Sequence, residues 1–343
     1  MAQNIDLYPQ GWTSCDLTTE ESDRLDELER MIMVLRFQML TGFKKDGQSI
    51  AELQNQAIEI SHELFPPLTV GRHYMGGGEY YGTHGQIDKF TDASEQITPL
   101  AWQLVIPRHR HAGTASTLRG YWAGGQLGNG GIISDLEGIN FDAETRHGVS
   151  ANLTAPAVYF RGSYSQTDGY FGGIGLFGAV SGEGRVEKMP FSTETPAVTG
   201  SALPTVRGGS NVNRSESKIY FSGGWVVTKN IDAVNVATDA TSTLSAKMAH
   251  ARLEAGNFDS PVAGYVAAGV DVLNMVNMRS IERLTFGGPE TAGLVSNSLT
   301  ARTDTDSEGF SAQRKGYWHG GINGQMHHSI EAMDFSTERM TML

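Results

Sequence analysis

Apolar positions in the N-terminal part of the chain follow a helical step. Leu25, Leu28, Ile32, Leu35 and Met39 fall at intervals of 3, 4, 3 and 4, and Ile50, Leu53, Ala57, Ile60 and Leu64 repeat those intervals. Because an α-helix turns every ~3.6 residues, each set lines one face. Thr18 with Glu21 and Ser49 with Glu52 have the spacing of capping boxes, and Gly42 with Asp46-Gly47 breaks the chain between the two runs. The pattern predicts an α-helical hairpin within residues 1–65. Met31, Met33, Val34, Phe37 and Leu40 widen the first stripe beyond the seam that one partner helix covers. The segment therefore reads either as a helical pair capping the next domain or as an oligomerisation and docking stalk. Its candidate interaction residues are Leu25, Leu28, Ile32, Leu35, Met39, Ile50, Leu53 and Ile60.

Beyond residue 70 the pattern changes to an alternation of period two inside a longer repeat. One marker is an aromatic followed by a small-residue doublet: HYMGG (Gly76, Gly77), GYWAGG (Gly124, Gly125), GYFGG (Gly172, Gly173), YFSGG (Gly223, Gly224), GYVAAG (Ala268, Gly269) and GYWHGG (Gly320, Gly321). The second is an apolar residue, an acid and two alternating positions, starting at Ile87, Leu136, Val186, Ile231, Ile281 and Ile330, with spacings of 49, 50, 45, 50 and 49. A third is an apolar stretch ending in arginine, at Arg108, Arg207, Arg252 and Arg302. The second marker predicts a strand with one buried face, and the glycines predict the end of another strand where backbone approaches closely. Each unit is then about four short strands, and such a unit repeated six times predicts a six-bladed β-propeller over residues 66–343.

Composition sharpens the boundary. Residues 1–70 hold 12 acidic and 5 basic residues, net −7 of the chain's −12, but only 3 of its 42 glycines, and Pro66-Pro67 marks the change. The acidic balance argues against a nucleic-acid binder, which needs a Lys/Arg-rich surface. A single cysteine, Cys15, rules out an intramolecular disulfide. Lack of a long apolar run or a signal-peptide pattern gives the expectation of a protein made in a cytoplasm, with no membrane insertion.

The order of an arginine, GYWAGG and LEGINFDAET resembles the Kelch repeat of galactose-oxidase-type propellers. The dialect that joins GYWAGG, GYFGG or GYWHGG to FSTET (191–195) or FSTER (335–339) is similar to Kelch-like propellers in tailed-bacteriophage virion proteins, cyanophages among them. The likeness spans about residues 72–340. Val236 in the fourth unit and Ala268 in the fifth depart from the pattern. In that family the doublet closes the innermost strand, so the resemblance implies an innermost position for these strands. The chain ends just after the sixth acidic strand, from which closure is expected by pairing of residues near 68–75 with the C-terminal strand.

Candidate chemistry is thin. Asp88, Glu137, Glu187, Asp232, Glu282 and Glu331 recur once per unit, so a structural role, such as pairing with the recurring arginine or bonding a turn, is expected rather than a paired-carboxylate site. His109 and His111 share a strand face and could ligate a metal, but no third ligand is apparent; adjacent His327 and His328 diverge if extended. Asp304, Asp306 and Glu308 alternate without the length or glycine of a calcium loop. Galactose oxidase requires a Tyr crosslinked to a Cys, which Cys15 outside the repeats cannot supply. No nucleophile elbow, zinc helix motif or phosphate loop occurs.

Together these readings give an expectation of a non-enzymatic virion structural protein of a tailed phage, without cofactor or metal. A tail fibre or tail-associated receptor-binding protein is the first choice. Its expected partners are other tail proteins, a glycan or protein receptor on the host surface, and further copies of itself. The alternatives are a cellular Kelch-type interaction scaffold and a glycan-binding or glycan-active propeller.

Overall fold

The computed structural model describes residues 71–343, except 80–81, 93, 176–181, 288, 300–304, 313 and 323–329. The expected helical hairpin, with all eight interaction residues named above, lies outside the described residues. Those that are described contain strands and turns and no helix, so this part of the chain is all-β.

Alternating short strands and tight turns give six principal antiparallel sheets among the described residues. The first holds Arg72–Glu79, Thr83–Thr91 and Gln96–Gln103. The second holds Ala112–Ala115, Arg119–Ala123, Leu136–Asn140 and Thr145–His147. The third holds Arg161–Tyr164, Asp168–Gly172, Glu187–Pro190 and Ala197–Val198. Asn211–Arg214, Lys218–Ser222, Asn230–Asn235 and Thr241–Lys247 form the fourth, and Gly256–Asp259, Ala263–Ala267, Ser280–Thr285 and Ala292–Ser298 the fifth. The sixth holds Thr305–Ser311, Lys315–Ile322, Ile330–Asp334 and Arg339–Met342. Strands follow chain order within each sheet.

Serine chemistry makes the first hairpin of four units. Ser116, Ser165, Ser215 and Ser260 each accept, through Oγ, the backbone N–H three residues on, from Arg119, Asp168, Lys218 and Ala263 at 3.0–3.1 Å. The turn before the last strand of a sheet ends on an acid in the left-handed region: Glu95, Glu144, Glu194, Asp239 and Glu338 have φ of 50–55°.

Sheet packs on sheet in cyclic order. Ile87 and Leu104 of the first unit meet Trp122 and Ile139 of the second, and Tyr121 and Leu136 meet Phe171 and Met189 of the third. Tyr170 and Val186 meet Ile219 and Val234, Tyr220 and Ile231 meet Val266 and Leu284, and Tyr265 and Ile281 meet Trp318 and Met333. The sixth sheet returns to the first, where Tyr317, Ile330 and Ala332 cluster with Phe90. The acidic strands thus have a neighbouring sheet on each face, which corrects the expectation of one buried face. Glu187, Asp232, Glu282 and Glu331, on the supposed polar side, are 0% exposed.

Two further expectations are corrected. In the four-stranded sheets the doublet strand is second and not at the edge, while in the three-stranded first sheet Arg72–Glu79 is the edge strand. First strands of the second to sixth sheets abut one another in succession, with Thr114 Oγ1 donating to Ser163 O at 2.7 Å between the second and third and the Asp259 N–H donating to Ser311 Oγ at 2.5 Å between the fifth and sixth. Among the described residues the first and last strands do not pair with each other, and residues 68–70 of the expected closing segment lie outside them. Arg72–Glu79 pairs with Thr83–Thr91, and Arg339–Met342 pairs with Ile330–Asp334. Among the described residues it is side-chain packing between the first and sixth sheets that closes the circle.

Register also moves one doublet. Trp122 opposes Glu137 as Met75 opposes Asp88, so Gly124-Gly125 corresponds to Gly77-Gly78 rather than to Gly76-Gly77. The backbone agrees, with φ of 76° and 136° at Gly77 and Gly78 against 60° and 103° at Gly124 and Gly125.

Candidate functional site

The recurring acids and arginines are used inside the fold. Arg108 Nη2 donates to Glu137 Oε1 at 2.7 Å, while its Nη1 donates to the carbonyls of Gly124 (3.0 Å) and Asp135 (2.8 Å). Arg207 does the same with Asp232, Gly223 O and Asn230 O, and Arg252 with Glu282, Ala268 O and Ser280 O. Each guanidinium ties the doublet carbonyl to the next strand, and all three arginines are 0% exposed. The acid also accepts backbone N–H groups from the loop that enters its unit: Val105 and Ile106 for Glu137, Thr205 for Asp232, Ala249 and His250 for Glu282. In the third unit Ala157 stands where arginine would, and Glu187 is held by Thr154 N–H and Oγ1 and by Arg185.

A second polar repeat escaped the sequence reading. A doublet-strand tyrosine and a cation of one sheet share the turn acid of the next sheet. Glu144 binds Tyr74 Oη (3.0 Å) and Lys89 Nζ (3.0 Å); Glu194 binds Tyr121, Arg119 and His147; Asp239 binds Tyr170 and Lys188. Glu290 binds Tyr220 and Lys218, Glu338 binds Tyr265 and Arg283, and Glu95 of the first sheet binds Tyr317 and Lys315 of the sixth. Burial, reinforced by Glu144, raises the Tyr74 phenol to about 12. Burial works against ionisation of Glu144 and Glu194, but their hydrogen bonds outweigh it and hold both below the ordinary range; the Lys315 bond does so for Glu95.

The histidine pair is not assembled for metal. His109 Nδ1 lies 3.3 Å from Thr83 Oγ1. Burial, with the charges of Arg108 and His109, pushes His111 down to about 3, so it is neutral. Among the described residues no group of three or more His, Cys, Asp or Glu could hold a metal ion. Asp306 and Glu308 lie on the strand Thr305–Ser311 rather than in a loop. Asp304, Arg302, His327 and His328 lie outside the described residues.

What remains is a partly exposed group of residues just before the first strands of the second to fifth sheets. In an antiparallel meander, links from second to third strand and from one sheet to the next lie at the same end. There the residues just before the inner strands, Arg110, Tyr159, Gly209 and Glu254, all have φ between 52° and 63°. Each hands its carbonyl to the next: Tyr159 N–H donates to Arg110 O (3.1 Å), Gly209 N–H to Tyr159 O (2.7 Å) and Glu254 N–H to Gly209 O (3.3 Å). Above this belt the Arg110 guanidinium lies 4.6 Å from the Tyr159 ring centre and donates to Gln126 Oε1 at 2.9 Å. Trp225, which follows the fourth doublet, lies 4.3 Å from Tyr159 with the rings at 58°. At the opposite end, Arg214 covers the Tyr164 ring at 3.8 Å, next to Asp259, whose carboxyl burial pushes up to about 7.

No protein-family model matches the chain, and comparison with curated proteins returns no match. Residues, rather than relatives, therefore carry the functional argument.

Proposed function

We propose that the six sheets are blades of a closed Kelch-like β-propeller, and that the protein is a non-enzymatic structural and recognition component of a tailed-phage tail, either a tail fibre or a tail-associated receptor-binding protein. The observation that carries the binding-module reading is that the repeated ionisable residues serve the frame. Arginine–acid ties hold doublets inside units, and tyrosine–acid–cation clasps hold unit to unit, including the sixth to the first. A frame of this kind presents its connections as a rigid recognition surface. The phage assignment rests on the repeat dialect at residues 120–125, 169–173, 191–195 and 335–339, which is analogy rather than chemistry.

In this reading the sequence face of Leu25, Leu28, Ile32, Leu35, Met39, Ile50, Leu53 and Ile60 docks on other tail proteins or on further copies of the chain. The test is peptide mass spectrometry of purified phage particles with immunogold labelling. Label on tails supports the proposal. Confinement of the protein to the soluble fraction of infected cells would sink it.

A further inference from the structure

The residue before the turn serine holds the same place in three consecutive sheets: Tyr164, Arg214 and Asp259, ahead of Ser165, Ser215 and Ser260. Arg214 thus stands with a phenol on one side and a carboxyl on the other. Its guanidinium lies 3.8 Å from the centre of the Tyr164 ring and donates through Nη2 to Tyr164 Oη at 2.9 Å. On the other side its backbone N–H donates to the Asp259 carboxyl, whose Oδ1 also accepts Asn213 Nδ2 at 2.8 Å. The carboxyl is therefore bound at the main chain of Arg214, within reach of that residue's own side chain, while the guanidinium is turned to Tyr164. One cation has two competing partners, and one of the two can change its charge.

We propose that Arg214 is a pH-operated latch, which covers the Tyr164 ring while the Asp259 carboxyl is neutral and turns to pair with that carboxyl once it ionises, baring the ring. Burial pushes the Asp259 carboxyl up to about 7, against the bonds from Asn213 and the charge of Arg214. A neutral carboxyl offers the guanidinium no charge, so the partly exposed ring is the better partner. Ionised and poorly solvated, the carboxylate offers a charge-assisted bond, which outweighs a cation on a ring that water also reaches. The equilibrium moves because the cation's two positions differ in their affinity for the ionised group. From the fourth sheet Asp259 faces Arg214 on the first strand and Tyr220 on the second, whose phenol is raised mainly by burial and in part by the Asp259 charge. Tyr220 also donates to Glu290 and stays neutral. The sixth sheet contributes Ser311 and the facing strand of the fifth contributes Gly264, neither of which titrates. The latch goes beyond the recognition role proposed above and does not rest on it.

The test is hydroxyl-radical footprinting of the full-length protein at about pH 5.5 and about pH 8.5, read residue by residue by mass spectrometry. Labelling of wild-type Tyr164 is expected to rise by about threefold or more at the higher pH, because the latch passes from mostly on to mostly off across a midpoint near 7. Tyr170, buried in the strand Asp168–Gly172, should stay protected at both values and so reports an intact fold. Asp259→Asn should hold Tyr164 at the low level at both pH values, and Arg214→Gln should hold it at the high level at both. Where labelling of Tyr170 shows that one variant has lost its fold, the other decides. Equal labelling of wild-type Tyr164 at the two pH values overturns the proposal, and so does a pH-dependent rise that persists in either folded variant.

Discussion

Gly124→Ala places one methyl group where the doublet strand turns toward the neighbouring unit. The residue sits at φ 60°, and a Cβ there would lie 2.8 Å from Ala157 O and 2.9 Å from the Phe160 ring, one a backbone atom and the other a fully buried side chain. Left-handed backbone costs an L-residue about 1–2 kcal/mol. Relieving the two contacts means shifting the third unit's entry loop, which also accepts the Gly125 N–H at 2.8 Å, and overpacking of this kind costs about 1–3 kcal/mol. Together they predict a loss of about 2–5 kcal/mol, with an unchanged denaturant slope if both states keep their compactness. The mirror change is informative because Ala268 occupies the same place in the fifth unit at φ 62° and is completely buried. Ala268→Gly regains about 1–2 kcal/mol of backbone strain but gives up about 0.8 kcal/mol of methyl burial and about 0.5–1 kcal/mol of chain entropy, so it should be nearly neutral. Urea unfolding of the two variants decides the matter. A Gly124→Ala loss below about 0.5 kcal/mol would show that the doublet does not approach the next unit as described.

Two other outcomes follow from charge placement. Asp232→Ala strands the fully buried Arg207 guanidinium, 2.6 Å away, and should cost about 3–5 kcal/mol, whereas removing Glu338 from the half-exposed Arg283 should cost about 1 kcal/mol or less by the same denaturation assay. Acidity should act in opposite directions at two sites. The lowered pKa values of Glu95, Glu144 and Glu194 stabilise above their unfolded value of about 4.3, and that contribution is lost as pH falls through the folded values. Asp259, raised to about 7, favours the fold at low pH and loses that contribution as pH rises through 7. Melting temperatures should therefore be highest near about pH 5 and decline from there to about pH 7, and Asp259→Asn should stabilise at pH 8 more than at pH 5. A flat profile, or an Asn variant equally affected at both, would contradict the assigned environments.

Much of the frame was legible because period and register are local. The 49, 50, 45, 50, 49 spacing of the acidic strands is reproduced by the strand that follows the doublet strand in each sheet, from Thr83–Thr91 to Ile330–Asp334. The tie between Arg108 and Glu137 could be expected from two markers that repeat together. The clasps could not, since Tyr74 and Glu144 are 70 residues apart and meet only once adjacent units pack. Their signal was nevertheless present: an acid recurs at 95, 144, 194, 239, 290 and 338, shortly after each acidic strand. The same holds for the belt, where 110, 159, 209 and 254 keep the unit spacing although arginine, tyrosine, glycine and glutamate share no side-chain chemistry. What they share is a backbone conformation, which a search for residue types does not see. The innermost position was misassigned for a related reason. Glycine marks close approach, but the approach here is of the doublet turn to the next unit's entry loop, while the inner strands carry ordinary residues such as Asn211–Arg214.

The central structural claim is that the sixth sheet packs back on the first, and a double-mutant cycle between Glu95 and Tyr317 tests it most directly. Glu95 accepts Tyr317 Oη at 3.1 Å and Lys315 Nζ at 2.6 Å across that junction. The cycle uses Glu95→Ala, Tyr317→Phe and their combination, with Glu194→Ala and Tyr121→Phe as the same contact between consecutive units. A closed ring predicts coupling of about 0.5–1.5 kcal/mol at both junctions. Coupling between Glu194 and Tyr121 with none between Glu95 and Tyr317 would mean that the sheets form an open array.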